Sequence, residues 1–218
     1  MVLRGVLPSP EWKMKRFKRP EQQKWYPGET ISIGIGQGYN AYTPIQLAHA
    51  MATVAANGAM YRPHVLAHIE NPRTRERRTV EPELVTQVPL KREYVEFVKR
   101  AMAGVTVEGT GARAFAKAGY TSGGKTGTAQ VIAMKQNEKY DEKKVDERLR
   151  DHSLYISFAP LDNPIIAMLV IVENGGFGAR AAAPITRTVL DYYLLGKMPP
   201  GLSAATPVDE FEDDKESD

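Results

Sequence analysis

Residues 123–131 place the strongest constraint on how this 218-residue chain can fold. The stretch contains one lysine, two threonines and three glycines: Gly123, Gly124, Lys125, Thr126, Gly127, Thr128, Ala129, Gln130 and Val131. The lysine brings a positive charge, the hydroxyls can donate hydrogen bonds, and the glycines let a ligand or another backbone approach closely. This composition suits the binding of a carboxylate or a phosphate, and the neighbouring sequence helps to distinguish the two.

A phosphate-binding loop is one interpretation, because residues 119–126, from Gly119 to Thr126, fit the pattern Gly-x-x-x-x-Gly-Lys-Ser/Thr. Such a loop follows a buried strand and begins a helix at its lysine, so that helix amides meet the phosphates. The order here is reversed: helix-favouring residues 111–117 precede the motif, and alternating residues 127–132 with strand character follow it. The sequence therefore disfavours a nucleotide hydrolase, which is kept as an alternative.

Two apolar stretches after the motif indicate an antiparallel sheet. Residues 153–159 and 165–172 have strand character, and residues 160–164 between them contain two prolines typical of a turn. A hairpin beside the motif strand makes the sheet antiparallel, whereas phosphate-binding loops belong to parallel sheets. Upstream, residues 43–46 form a capped helix start, and residues 91–106 have the apolar periodicity of an amphipathic helix. The predicted fold class is α+β, an antiparallel β-sheet flanked by helices.

Basic and aromatic side chains alternate near the N-terminus. The basic residues are Lys13, Lys15, Arg16, Lys18, Arg19 and Lys24, with Trp12, Phe17, Trp25 and Tyr26 between them. Such a cluster can grip nucleic acid, but a net charge of only +3 favours a solvated loop with aromatic anchors. The prolines predict irregular chain, and the glycines of residues 31–38 are predicted to allow close backbone approach beside a buried strand. No nucleic-acid partner is expected.

These segments together resemble the transpeptidase domain of class B penicillin-binding proteins, most closely the cell-elongation type of rod-shaped Gram-negative bacteria. The motifs that carry the resemblance lie, in order, in residues 7–13, 25–30, 33–38, 42–48, 124–131, 147–152 and 173–176. The resemblance implies a serine β-lactamase/penicillin-binding transpeptidase-like fold. It makes residues 1–198 the C-terminal portion of such a domain, incomplete at its N-terminal side. Residues 199–218 are acidic and predicted to be a disordered tail.

Enzymes of this kind need a Ser-x-x-Lys with the nucleophile, a Ser-x-Asn and a Lys-Thr-Gly. No serine of this chain has an asparagine two places on, and the sole Ser-x-x-Lys joins Ser122 to Lys125. A nucleophile of this type starts a helix that carries the lysine one turn later, and two intervening glycines disfavour that helix. The sequence thus predicts a transpeptidase fragment without its catalytic serine, inactive alone. A non-catalytic fragment that binds penicillin or peptide is the alternative.

The resemblance also implies roles for the Lys-Thr-Gly residues. Lys125, Thr126 and Gly127 would belong to the catalytic site, where the lysine favours a terminal carboxylate, Thr126 hydrogen-bonds it and Gly127 lets the ligand lie close. Thr128 would give its amide to an oxyanion hole and its hydroxyl to the ligand. The implied partners are peptidoglycan stem peptides, β-lactams and cell-elongation membrane proteins reached through regions outside this sequence. No cofactor is expected, and neither is a metal site, because the four histidines are scattered.

The location is expected, again by resemblance, to be the periplasmic face of the cell inner membrane. The family is tethered there by an N-terminal helix. In this sequence we expect neither a signal peptide nor a membrane helix, which needs about 18 consecutive apolar residues.

Overall fold

The computed structural model describes residues 5–132, 145–199 and 201. Within these ranges the chain forms seven α-helices and seven β-strands. The helices are α1 (Pro10–Arg16), α2 (Pro20–Gln23), α3 (Pro27–Gly34), α4 (Pro44–Ala55), α5 (Arg92–Val107), α6 (Ala112–Phe115) and α7 (Ala182–Leu195). The strands are β1 (Ala59–Tyr61), β2 (His68–Glu70), β3 (Arg77–Thr79), β4 (Leu84–Gln87), β5 (Gly123–Ala129), β6 (His152–Ala159) and β7 (Ile166–Val172). One 3-10 turn spans Glu147–Leu149.

The main sheet has three antiparallel strands in the order β5-β6-β7. Gly123 of β5 faces Phe158 of β6, and Ala159 of β6 faces Ile166 of β7. The residues between β6 and β7 form the predicted proline-containing turn, since proline cannot donate to a sheet ladder. The strands β1 and β4 form one small antiparallel pair, and β2 and β3 form another. The hairpin and the antiparallel sheet predicted from the sequence are confirmed.

Helices cover both faces of the main sheet, and alternating side chains of β6 build a core on each face. On one face Tyr155 packs with Phe115 of α6 and Leu190 of α7. On the other face Phe158 packs with Met51 and with Ala55 of α4. Layers of helix on both sides of a sheet bury the apolar residues of each strand. The predicted α+β class is therefore confirmed.

The helix predicted from residue 44 onwards begins and ends as its sequence indicates. The Thr43 hydroxyl accepts a hydrogen bond from the Gln46 amide at 3.4 Å, and the Gln46 side chain accepts from the Thr43 amide at 2.9 Å. This reciprocal pair satisfies two backbone donors that the first helical turn leaves free. After α4, Asn57 and Gly58 have φ values of 53° and 93° and turn the chain away.

The helix predicted for residues 91–106 is confirmed as α5, but its buried face differs from the predicted one. Periodicity predicts one apolar face, made of Tyr94, Val95, Val98, Ala101, Met102 and Val105. Of these, Val95 is buried as predicted, whereas Tyr94 and Val98 are exposed. Lys99 and Thr106, which lie outside the predicted face, are buried as well. The Lys99 ammonium donates to the Ala55 carbonyl of α4 at 3.4 Å, so a charged side chain occupies a position that periodicity assigns to solvent.

The N-terminal residues are helical, so the prediction of an irregular loop is wrong, although Lys15, Arg16, Lys18, Arg19 and Lys24 are exposed as expected. The helices α1, α2 and α3 each have proline at their start, where its missing N–H and fixed φ suit a helix. The prediction for residues 31–38 is wrong as well. Gly34 belongs to α3, and a Cβ built at Gly34 or Gly36 would meet nothing within 4 Å. These two glycines therefore lie against no buried strand.

Lys13 is the one buried member of the basic cluster, and its side chain connects two of the N-terminal helices. Its side chain is 3% exposed, and its ammonium donates to the Lys24 carbonyl at 2.7 Å and to a Glu29 carboxylate oxygen. The ammonium also lies 5.2 Å from the ring centroid of Tyr26 and 5.6 Å from that of Tyr39. The hydrogen bond from Lys13 is the main cause that lowers the pKa of Glu29, and a bond from the Tyr26 amide adds to it. Lys13 thus ties α1 to α3.

Three further expectations concern the C-terminal tail, membrane helices and metal ligands. The acidic tail predicted for residues 199–218 lies outside the described residues, apart from residues 199 and 201. Among the helices of the described ranges, none is both long enough and apolar enough to cross a membrane. No three His, Cys, Asp or Glu side chains in those same ranges are grouped as metal ligands.

Candidate functional site

The Lys-Thr-Gly residues lie in β5, at the edge of the main sheet. Lys125 pairs with Ile156 of β6, and Thr126 pairs with Tyr155. Among the described strands β5 has a neighbour on one side only, because the sheet order is β5-β6-β7. Backbone groups along an open strand edge can pair with an extended peptide. The motif therefore stands where a peptide-like ligand can add to the sheet.

The phosphate-binding-loop alternative for Gly119–Thr126 is wrong. Lys125 lies inside an antiparallel strand, and no helix begins at it. The preceding residues 119–122 are bend and coil rather than the end of a parallel strand. A phosphate-binding loop needs that strand and that helix, because helix amides hold the phosphate.

Ser122 does not have the geometry of a nucleophile paired with Lys125. It is buried directly before β5, and its carbonyl accepts a hydrogen bond from the Thr106 hydroxyl of α5 at 2.9 Å. The chain from Ser122 to Lys125 runs into an extended strand, so no helical turn brings the hydroxyl and the ammonium onto one face.

The pleat of β5 separates the charge of the motif from its hydroxyls. Successive side chains point to opposite faces, so Lys125 lies on one face while Thr126 and Thr128 lie on the other. The Lys125 ammonium is exposed and donates to the Thr126 carbonyl at 2.8 Å. Within the described ranges no ion pair with a carboxylate neutralises it. Its charge is therefore available to an anionic ligand.

A cavity of about 360 Å³ lies beside the motif strand. Its walls include all of the predicted site residues together with apolar side chains from the segment between α3 and α4, from α4 itself and from the strands β6 and β7. The apolar wall residues are Ile35, Tyr42, Leu47, Leu154, Ile156 and Leu169. A mostly apolar cavity with a few fixed polar groups is typical of a small-molecule or peptide site. The arrangement suits a ligand with an apolar body and an acidic end.

Thr110 contacts the motif, which the sequence did not predict. Thr110 precedes the short helix α6 but does not cap it, because Gly111 occupies the cap position and no side chain caps that helix. Instead the Thr110 hydroxyl lies 2.9 Å from the Thr126 hydroxyl. This contact arises because α5 packs against β5, and no local pattern around Thr110 signals it. The pair constrains the direction of the Thr126 hydroxyl.

Close backbone approach at two glycines holds neighbouring segments against β5. A Cβ at Gly124 would lie 2.6 Å from Cζ of Tyr155, whose hydroxyl is buried without a hydrogen-bond partner in the described structure. Burial raises the pKa of Tyr155 well above its ordinary value. A Cβ at Gly178 would lie 2.6 Å from the Gly127 carbonyl oxygen. The segment after β7 therefore packs directly on the motif strand.

Hydrogen bonds of Asn174 and Asp151 hold the ends of the three strands in place. The Asn174 side chain donates to the Arg148 carbonyl at 3.0 Å and to the Arg150 carbonyl at 2.9 Å. Asp151 is 5% exposed, and its carboxylate accepts from the Val131 amide at 3.4 Å. Two of the motifs that carry the family resemblance, residues 147–152 and 173–176, therefore have a structural role next to the end of β5.

Comparison with known proteins gives consistent matches along most of the chain. Residues 16–191 match the family model of the penicillin binding protein transpeptidase domain. The chain is 41% identical over 211 residues to the peptidoglycan D,D-transpeptidase MrdA of Haemophilus influenzae, a match that covers 95% of this chain and 31% of that protein. The chain thus spans less than a third of the length of this curated relative.

Solved structures of penicillin-binding proteins also match this chain. The structure of Pseudomonas aeruginosa PBP2 in complex with WCK 5153 matches with a TM-score of 0.67 and 36% identity, covering 90% of this chain and 40% of that chain. The imipenem acyl-enzyme complex of penicillin-binding protein A from M. tuberculosis matches with a TM-score of 0.58 and 27% identity, covering 75% and 33%.

Proposed function

This chain belongs to the family of penicillin-binding protein transpeptidase domains, and from that premise we propose that it forms the Lys-Thr-Gly wall of a cleft for β-lactams and peptidoglycan stem peptides. The similarity to MrdA confirms the resemblance to the cell-elongation type that the sequence motifs indicated. The observation that carries the proposal is the position of Lys125 and Thr126 on an open sheet edge beside a cavity. We assign residues 1–198 to the C-terminal portion of the transpeptidase domain.

Each motif residue has a distinct role in this proposal. Lys125 attracts the terminal carboxylate of a D-alanyl-D-alanine stem or of a β-lactam, because its exposed ammonium faces no described carboxylate. The Thr126 hydroxyl, constrained by Thr110, donates a hydrogen bond to the same carboxylate from the other face of β5, because a ligand at the strand edge adjoins both faces. Gly127 leaves room for the ligand along the strand edge. The amide of Thr128 serves an oxyanion hole, which stabilises the charge that develops on the attacked carbonyl oxygen.

The covalent step requires a nucleophilic serine one helical turn before a lysine, and the described residues offer no such pair. In the family, a serine of Ser-x-x-Lys attacks the D-alanyl-D-alanine carbonyl, and an amine of a neighbouring stem then takes the acyl group. The one Ser-x-x-Lys of this sequence runs into β5. We therefore propose that this chain binds its ligands without acylation, since residues that act as a unit fail together. Cross-linking belongs to the whole protein, at the periplasmic face of the inner membrane with its cell-elongation partners.

Reversible and covalent binding of a fluorescent penicillin can be measured separately on the same 218-residue chain. Fluorescence anisotropy should show reversible binding, and a denaturing gel should show no labelled band. Hydrogen bonds to charged groups contribute about 1.5–3 kcal/mol, so Lys125→Ala and Thr126→Val should each weaken binding about tenfold or more. Lys91→Ala and Thr79→Val are matched controls, because these exposed residues lie outside the cavity.

Two outcomes would contradict the proposal in different ways. A label that survives denaturation and that excess unlabelled penicillin prevents would show that the chain can acylate by itself. Unchanged affinity in both Lys125→Ala and Thr126→Val would show that the motif strand is not the binding wall.

A further inference from the structure

The strand β7 consists only of apolar residues, yet none of them is fully buried. Its seven residues, Ile166–Val172, include no charged side chain, no glycine and no proline. Most residues of the neighbouring strand β6 are buried, whereas those of β7 are half-buried or exposed. Among the described strands β6 is the only neighbour of β7. Because α4 and α7 pack against β7, its remaining exposure lies along the outer edge.

The outer edge of β7 has none of the features that keep other strands away. Proteins block such edges with charged side chains, prolines or bulges, because unpaired backbone groups attract a further strand. At the opposite edge of the sheet β5 carries Lys125 and three glycines. The pairing of β7 with β6 runs without a bulge from Ile166 to Val172. The β7 edge is therefore regular, apolar and suited to a second apolar strand.

The helix α7 extends this apolar surface beyond the strand. Arg187 marks the side of α7 that faces α6, because it donates to the Ala116 carbonyl at 3.1 Å. The helix α6 follows α5, which packs on β5, so the other side of α7 lies toward the β7 edge. On that other side Ile185, Val189 and Tyr192 succeed one another by about one turn, and all three are exposed.

We propose that β7 pairs antiparallel with β7 of a second copy of this chain, which joins two three-stranded sheets into one of six strands. With a two-fold axis at Leu169, Ile166 lies opposite Val172 and Ala167 opposite Ile171, so every pair is apolar. A second strand satisfies the backbone groups of the edge, which a lipid surface cannot do. The exposed side of α7 flanks the seam and adds to its area, since a stable interface buries about 1,200–2,000 Å².

Sedimentation velocity of the 218-residue chain over a series of concentrations tests the proposal. A reversible equilibrium between monomer and dimer is expected. Ile171→Lys should weaken the dimer about tenfold or more, because the lysine would be buried without a partner against the second copy. Ile69→Lys is the matched control, since Ile69 is 44% exposed and Ile171 is 40% exposed, but Ile69 lies on β2. Thermal melts check that both variants fold.

A disulfide trap tests the register, because the chain has no cysteine of its own. Residues that face each other in an antiparallel pair have Cα atoms about 4.5–5.5 Å apart, which suits a disulfide. Leu169→Cys should therefore give a covalent dimer under mild oxidation. In Ala167→Cys the two cysteines would be four residues apart along the seam, about 13 Å, and should not cross-link.

Three results would overturn the proposal. One is a chain that stays monomeric at every concentration. Another is a dimer that Ile171→Lys and Ile69→Lys weaken equally, because its interface would then lie elsewhere. The last is cross-linking of Ala167→Cys as readily as Leu169→Cys, or growth into larger assemblies, because a two-fold pairing of β7 has one register and closes at two copies.

Discussion

At Gly124 the motif strand and the strand beside it approach too closely for any side chain. A Cβ there would lie 2.6 Å from Cζ and 2.7 Å from Cε1 of Tyr155, whose ring is fully buried. Gly124→Ala should therefore lower the free energy of unfolding by about 1–3 kcal/mol, because the ring must move within a packed core. Urea denaturation followed by circular dichroism measures the change.

Gly34→Ala is the matched control for that substitution. Gly34 lies within α3, and a Cβ there would meet nothing within 4 Å. Alanine in a helix is favoured over glycine by about 0.5–1 kcal/mol, so this variant should be as stable as the original chain or slightly more stable. Equal destabilisation by the two substitutions would show that the contact with Tyr155 is not the cause.

The buried hydroxyl of Tyr155 gives a prediction about alkaline pH. It has no partner in the described structure, and burial raises the pKa of Tyr155. Above about pH 10 tyrosine loses its proton in the unfolded chain but keeps it in the folded one, so folding stability falls as pH rises. Tyr155→Phe should be at least as stable as the original at pH 7, and its advantage should widen between pH 9 and about pH 11 in thermal melts. A constant difference across that range would contradict this account.

Residue chemistry in the sequence identifies candidate residues for the site better than it predicts the contacts between them. Lys125 and Thr126 could be singled out because a strand with lysine, hydroxyls and glycines is informative by itself. Thr110 could not, because its contact with Thr126 depends on how α5 packs against β5. The buried position of Lys13 was missed for the same reason, since its carboxylate partner is 16 residues away in sequence.

At the scale of elements, the pairing of Lys13 with Glu29 joins α1 to α3 in a pH-dependent way. The lowered pKa of Glu29 means that the folded state keeps the carboxylate charged at pH values where the unfolded chain binds a proton. The resulting stabilisation is fully present above about pH 5 and is lost as the pH falls through the lowered pKa. Glu29→Gln should therefore melt at a lower temperature than the original at pH 7.

The same pair of proteins compared at low pH tests the cause. The difference in melting temperature between the original and Glu29→Gln should shrink steadily below about pH 4, where the unfolded glutamate is mostly protonated. Glu83→Gln is a suitable control, because Glu83 pairs with an exposed arginine on the small β1–β4 sheet and should contribute little. A pH-independent difference for Glu29→Gln would point to lost packing instead of lost charge.

Elements were predictable where local signals agreed with each other. The capping box of α4 is one such signal, and the two apolar stretches separated by a proline-containing turn are another; α4, β6 and β7 form where expected. In α1 to α3 the prolines were ambiguous, because proline marks both turns and helix starts. In α5 the existence of the helix followed from periodicity, but its rotation was set by Lys99 reaching the end of α4.

At the scale of the whole molecule, α5 leaves an apolar face uncovered. Tyr94, Phe97 and Val98 are 60%, 67% and 44% exposed, although they are neighbours on one side of the helix. Exposed apolar patches of this kind mark surfaces that another part of a protein covers. The chain spans 31% of the length of a similar full transpeptidase. We therefore expect this face to be open to apolar molecules in the 218-residue chain.

Because this apolar face is exposed, the isolated chain should bind an apolar fluorescent dye. The folded chain at pH 7 should bind the dye, and Phe97→Ser should reduce the dye fluorescence to about half while leaving the thermal midpoint within a few degrees, because exposed substitutions change stability by about 0.5 kcal/mol or less. Val65→Ser is the control, since Val65 is fully exposed and lies away from α5. If both substitutions reduced dye binding equally, the dye would be reporting exposed apolar side chains in general rather than the uncovered face of α5.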